Sequence, residues 1–131
     1  MNADKMHFVV IDDSKLDCFI AEKVIQNTGR SESVRSFAVA SEALDYIKTL
    51  PADKKTIVLV DIQMPVMNGF DFLAEFEKNF PQEQRSNFIV NLLSSSINET
   101  DQIRAKTFKF VNRFLNKPLT RNALENMLAT V

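Results

Sequence analysis

Apolar residues along the chain follow two alternating rhythms: short unbroken runs, then longer stretches in which they recur every three or four positions. His7-Phe8-Val9-Val10-Ile11 is the first run, and consecutive apolar positions predict a strand buried on both faces, as in a parallel sheet. Ser14 follows as a candidate N-cap, with Leu16, Phe19, Ile20 and Val24 at helical spacing until Gly29. Residues 34–38 alternate more weakly and predict a second strand. Ser41 stands where it would cap the next helix, with Ala43, Leu44, Ile47 and Leu50 inward and Pro51 closing it. The run Thr56-Ile57-Val58-Leu59-Val60 predicts the third strand and ends at Asp61; its loop leads to a helix over 70–80, stopped by Pro81. A fourth strand is expected over 87–93, followed by Ser94-Ser95-Ser96. A modest helix over 99–108 carries Ile103, Ala105 and Phe108. The fifth strand is expected over 111–116, and Thr120 caps a last helix bearing Leu124, Met127 and Leu128.

Five strands each followed by a helix predict an α/β parallel sheet with helices on both faces. Ligands of such sheets bind outside the carboxyl ends of the strands, near the switch in strand order. Asp12 and Asp13 follow the first strand, Asp61 the third, Ser94 the fourth and Lys117 the fifth. All are therefore expected on one edge.

The residue types there suggest chemistry. Two carboxylates about 4 Å apart repel by roughly 4 kcal/mol at an effective dielectric of 20. Three in one crevice would take up protons or recruit a cation. Oxygen donors favour a hard divalent ion, and Mg²⁺ accepts a site with few protein ligands and exchangeable waters. Lys117 adds a point charge that can pair with Asp61 or a phosphoryl oxygen, and Ser94 a hydroxyl that can bond another. A carboxylate nucleophile in that company suits phosphoryl transfer, with an acyl phosphate on Asp61 as product. Each part alone has a plainer explanation. An Asp after a strand often only caps a helix or shapes a turn, Lys-Pro is common in loops, and three serines can be a polar loop. Their joint placement favours the functional reading.

Composition narrows the field. At 131 residues, 45% hydrophobic and 25% charged, one globular domain over residues 1–131 is expected. Sixteen basic against 17 acidic residues give no excess for direct nucleic-acid binding. No run reaches the length of a membrane span, and the stretch before Met6 is polar rather than signal-like; a cytoplasmic protein without membrane contact is expected. Cys18 is the single cysteine, read as a small hydrophobe on a helix. His7, the single histidine, opens a strand rather than standing on an exposed helix, so a phosphodonor histidine is expected on another protein.

Four segments together carry a family resemblance: Val9-Val10-Ile11-Asp12-Asp13-Ser14; residues 59–69, with Asp61-Ile62-Gln63-Met64-Pro65 and Gly69; Leu92-Leu93-Ser94-Ser95; and Phe114-Leu115-Asn116-Lys117-Pro118. The chain resembles a receiver domain of the two-component response regulators, of the stand-alone type, from about Lys5 to the end. The resemblance implies a flavodoxin-like doubly wound fold of five parallel strands in the order 2-1-3-4-5. It further implies that Asp61 is the phosphoacceptor for a histidine kinase or histidine phosphotransfer protein. Asp13 and Asp61 would bind Mg²⁺ directly, Asp12 through water, and the Gln63 backbone carbonyl would complete the protein ligands. Ser94 matches the switch hydroxyl, with Ser95 the alternative, and Phe114 matches the switch aromatic. Gln63 and Ser96 fall where side chains gate water and so set the acyl phosphate lifetime. The altered surface, on the helices flanking the fifth strand, would meet a downstream protein, and the resemblance admits a phosphorylation-dependent homodimer. Ser94 stands where Thr is frequent, Phe114 where Tyr is, and the segment over 98–113 is slightly longer than usual. Gly69, beside Asn68, is expected to take a positive φ in a turn.

Three rival functions are separable. An aspartyl-nucleophile phosphatase would place an acid/base carboxylate two residues after Asp61, where Gln63 stands. A flavin carrier of the same fold needs a Ser/Thr/Gly-rich phosphate loop where this chain has Asp12-Asp13-Ser14-Lys15-Leu16. A receiver-like interaction module without phosphorylation would tolerate loss of site residues, yet all five are chemically competent. A signalling switch, catalytic only toward its own phosphorylation and dephosphorylation, is the expectation.

Overall fold

The computed structural model of the protein describes residues 5–51, 54–96 and 98–131; the polar stretch at residues 1–4 lies outside them. Strands β1 (Met6–Ile11), β2 (Ser31–Phe37), β3 (Thr56–Asp61), β4 (Phe88–Ser94) and β5 (Val111–Asn116) form one parallel sheet in the order β2-β1-β3-β4-β5. This is the expected doubly wound arrangement. The helices are α1 (Lys15–Asn27), α2 (Ala40–Ile47), α3 (Gly69–Asn79), α4 (Gln82–Arg85), α5 (Glu99–Lys106) and α6 (Arg121–Leu128).

Alternation along the strands divides the interior into two layers. Val9, Ile11, Val58, Val60, Val90 and Leu92 face α2, α3 and α5, with Ala43, Ile47, Phe72, Phe76 and Ala105 as buried partners. Phe8, Val10, Ile57, Leu59 and Leu115 face α1 and α6, against Ala21, Ile25, Leu124 and Met127. Every residue of β3 is buried, as a central parallel strand covered on both faces requires. Each fully buried large side chain contributes roughly 1.5–3 kcal/mol. The Phe-rich layer is centred on Phe76, whose ring lies 4.8 Å from Phe80 and 5.4 Å from both Phe88 and Phe110, centroid to centroid.

The order places β1 beside β3, with the chain leaving the two strands toward opposite faces. The crevice between their carboxyl ends is the switch point of the sheet. Asp12 follows β1 and Asp61 ends β3, so both open into it.

Several local expectations are corrected. On α1 the inward residues are Ala21 and Ile25, while Leu16 and Phe19 are exposed. Of the expected stripe, Val24 does pack, half-buried, against the same layer as Ala21 and Ile25. Ser41 does not cap α2; the helix starts from Val39 without a side-chain cap. Burial of Ala40 draws that residue into the helix and shifts Ser41 into the first turn. Ile103 on α5 is exposed and Phe108 lies beyond that helix, half-buried. The short helix α4, entered through Pro81, adds a turn between α3 and β4 that periodicity does not signal. Gly69 is not at positive φ; the described residues that are, Gly29 (φ 71) and Val66 (φ 67), stand elsewhere.

Candidate functional site

β1 ends at Ile11, and Asp12 is the next residue, 1% exposed, its backbone N–H bonded to Phe37 O at 2.9 Å. Its Oδ1 accepts the Ser14 backbone N–H at 2.9 Å. Ser14, not the acid pair, caps α1: its hydroxyl oxygen accepts the Asp17 N–H at 3.2 Å. Asp12 and the exposed Asp13 are therefore not spent on helix capping.

Asp61 is the last residue of β3 and is buried. Its Oδ1 accepts the Gln63 N–H at 3.0 Å, which leaves Oδ2 turned to Lys117. The loop beyond is pinned at its far end by Asn68 and Asp71, which satisfy each other's backbone N–H groups across the first turn of α3. Gly69 lets that helix close on the acid: a Cβ there would stand 2.7 Å from Asp61 O and 2.8 Å from Ile62 Cα. Close approach, not backbone freedom, is the reason for glycine here.

Lys117 follows β5, and its backbone N–H bonds Ser94 O at 2.8 Å, tying the ends of β4 and β5 together. Its Nζ donates to Asp61 Oδ2 at 3.0 Å and to Asp17 Oδ2 at 2.9 Å. It also lies 2.6 Å from Asp12 Oδ2. That last contact is the shortest of the three and pairs the ammonium with a buried carboxylate. Asp17, on the first turn of α1, is the member of this group that sequence reasoning missed. An acid there reads as a complement to the helix dipole, and only the fold brings it to a lysine one hundred residues away.

The electrostatics are those of a crowded acid cluster. Burial is the largest influence on Asp12 and, with the charge of Asp61, raises its pKa above 3.8, against the opposing pull of Lys117 and the Ser14 N–H. Burial alone would lower the Lys117 ammonium, but Asp12, Asp17 and Asp61 outweigh it and hold the group above the ordinary lysine range. Four carboxylates and one ammonium leave a net charge of −3 (4 negative, 1 positive). Oxygens of Asp12, Asp13 and Asp61 can all lie within 4.8 Å of one another. Three hard oxygen donors from buried and exposed carboxylates, with excess negative charge, fit a divalent cation such as Mg²⁺. Asp12, Asp13 and Asp61 would hold it.

The remaining expected residues are placed around this centre. Ser94 ends β4 and is fully buried. Its hydroxyl closes on its own loop, donating to Ser96 O at 2.9 Å and accepting the Ser96 N–H at 3.1 Å, so it is not hydrogen-bonded to Asp61. Ser95, Ser96 and Gln63 are exposed. Phe114 pairs with Leu92 across β4 and β5 and is half-buried against the Phe-rich layer. His7 lies on β1 with its Nδ1 2.7 Å from Ser33 Oγ. Cys18 sits on α1, half-buried, and its thiol donates to Asp12 O at 3.3 Å.

An acid pair after the first strand, an acid ending the third and a lysine after the fifth thus meet in one crevice of a doubly wound sheet. The family model described as response regulator receiver domain matches residues 8–129. The chain belongs to that family. Receiver domains of two-component signalling bind Mg²⁺ through acidic residues, and this receiver domain holds such a cluster in Asp12, Asp13 and Asp61. It is similar in structure to a two component response regulator from Cytophaga hutchinsonii, with a TM-score of 0.88 and 31% identity over 98% of this chain and 97% of that one. A response regulator receiver protein from Dyadobacter fermentans gives a TM-score of 0.84 and 32% identity, over 95% and 96% of the two chains. In sequence, the aerobic respiration control sensor protein ArcB of Escherichia coli is 27% identical over 94% of this chain and 15% of its own length. The autoinducer 1 sensor kinase/phosphatase LuxN of Vibrio campbellii is 30% identical over 92% of this chain and 13% of its own. The chain spans 15% or less of these curated relatives.

Proposed function

We propose that this receiver domain is a phospho-switch in which Asp61 accepts a phosphoryl group from a histidine kinase or phosphotransfer protein. The observation that carries the reading is Lys117 Nζ at 3.0 Å from Asp61 Oδ2, beside a three-acid oxygen cluster. In the transfer, an Asp61 carboxylate oxygen forms a bond to phosphorus as the donor's bond to phosphorus breaks, and the donor leaves with that electron pair. Lys117 neutralises charge on the phosphoryl oxygens, and the acid cluster supplies the cation site that phosphoryl transfer uses for charge neutralisation. Asp13 and Asp61 would be direct ligands with the Gln63 backbone carbonyl, and Asp12 an indirect one. Ser94 is the switch hydroxyl in this reading: to meet the phosphoryl group it must leave its bonds to Ser96. Phe114, on the neighbouring strand, is the ring that moves in response, and the surface of α5, β5 and α6 carries the change to a downstream protein. Gln63 and Ser96, exposed at the rim, tune the lifetime of the acyl phosphate.

The test is intact mass after incubation with acetyl phosphate and Mg²⁺, for wild type and Asp61→Asn, with an EDTA control. One added phosphoryl group that requires the metal and is absent from the variant supports the reading. A folded wild type that gains no phosphoryl group from acetyl phosphate and does not bind beryllofluoride supports the non-phosphorylated interaction module instead.

A further inference from the structure

Lys117 is shared, and one of its partners has no part in the acid cluster. Its ammonium carries three N–H donors and faces three carboxylates: Asp12 at 2.6 Å, Asp17 at 2.9 Å and Asp61 at 3.0 Å. Asp12 and Asp61 belong to the cation-binding group, whereas Asp17 does not. Among the described residues, Lys117 is the cation within salt-bridge distance of the Asp17 carboxylate. Asp17 is also fixed in place. It lies in the first turn of α1, with its backbone N–H held by the Ser14 cap, while Lys117 reaches in from the loop after β5.

We propose that Asp17 is a positioning residue for Lys117: its carboxylate draws the ammonium aside and competes with a phosphoryl group on Asp61 for the same donor. The proposal rests on Asp61 being the phosphoacceptor. When Asp61 attacks acetyl phosphate, one Asp61 oxygen bonds to phosphorus, the bond from phosphorus to acetate oxygen breaks, and acetate leaves with the electron pair. Three phosphoryl oxygens then stand on Asp61 and need the Lys117 donors. An ionised Asp17 keeps its share of them and adds a third carboxylate, after Asp12 and Asp13, beside the new dianion. The phosphorylated state is thereby weakened, and the lysine is returned to its resting contacts once the phosphoryl group is lost. A plain helix-dipole role for Asp17 requires nothing of Lys117 and leaves phosphoryl affinity unchanged.

Asp17→Asn keeps the shape and an acceptor oxygen and removes the charge; Asp17→Glu keeps the charge. Beryllofluoride is titrated at saturating Mg²⁺ into wild type and both variants, with the urea midpoint of each metal-free protein confirming the fold and Asp17→Ser as a second neutral variant. Asp17→Asn is expected to bind beryllofluoride about threefold to tenfold more tightly, the range of a partly exposed to partly buried ion pair, and Asp17→Glu to stay within about twofold of wild type. Unchanged or weaker binding by both neutral variants overturns the proposal, as does a gain by Asp17→Glu equal to that of Asp17→Asn. A wild type that neither binds beryllofluoride nor takes up a phosphoryl group overturns the phosphoacceptor reading itself, which separates the two failures.

Discussion

Replacing Gly69 by alanine tests whether the start of α3 really closes on the backbone of the candidate phosphoacceptor. The new Cβ would lie 2.7 Å from Asp61 O, 2.8 Å from Ile62 Cα and 3.1 Å from Asp61 C. Favourable carbon contacts begin near 3.5 Å, so the Ile62 overlap is roughly 0.7 Å. The atoms it meets are backbone at the end of a buried strand and cannot rotate away. Overpacking of this kind typically costs 1–3 kcal/mol, and alanine's helix-propensity advantage of up to about 1 kcal/mol offsets part of it. Gly69→Ala is therefore expected to lose about 1–2 kcal/mol in urea unfolding. It should also slow phosphorylation from acetyl phosphate, because relief of the clash moves the Asp61–Ile62 peptide relative to Asp12 and Lys117. Gly29→Ala is the control. Gly29 has φ 71 and nothing within 4 Å of an added Cβ, so its cost is conformational, roughly 1–2 kcal/mol, and phosphorylation stays unchanged. A Gly69→Ala protein as stable as wild type, phosphorylated at the wild-type rate, would refute the close-approach argument.

Phe76→Ala, at the centre of the Phe layer, should cost about 3–5 kcal/mol in urea unfolding, and Phe76→Leu less than half of that; equal costs would mean that refilling the volume without the ring recovers nothing. Val66→Gly should stabilise by roughly 1 kcal/mol, since a β-branched residue at φ 67 is strained and this one is fully exposed; thermal unfolding that shows a loss would contradict it. Because the Asp12 pKa is raised in the folded state, the fold holds that proton more tightly than the unfolded chain does. Its contribution is favourable below 3.8 and is lost as pH rises through the folded value. Asp12→Asn should therefore gain stability over wild type as pH climbs above 3.8, by about 1.4 kcal/mol for each tenfold difference in proton affinity between the folded and unfolded chains. A pH-independent difference between the two proteins would count against the burial argument. The Lys117 pKa is raised as well, so its contribution is fully present below 10.5 and is lost as pH rises from there through the higher folded value; Lys117→Met should flatten the alkaline limb of the stability profile, and an unchanged limb would show that the three-carboxylate contact does not stabilise the fold.

Sequence alone determined the order and kind of the five strands and most helices, because unbroken apolar runs and helical spacing are local patterns tied to burial on two faces or one. It determined as well that Asp12, Asp13, Asp61 and Lys117 share an edge, since every carboxyl end of a parallel sheet points the same way. Tertiary structure decided the rest. Which stripe of α1 turns inward depends on what fits against the sheet, so Ala21 and Ile25 won over Leu16 and Phe19. Burial of Ala40 overrode the capping preference of Ser41. The need for glycine at position 69 arises from a strand end and a helix start meeting in space, a contact invisible to any local propensity. The Asp17–Lys117 contact likewise joins the first helix to the loop after the last strand. The inward bonding of Ser94 to Ser96 is a property of how that loop folds back. Contacts between distant segments are settled only when the sheet closes, because their free energy depends on a geometry that no single segment encodes.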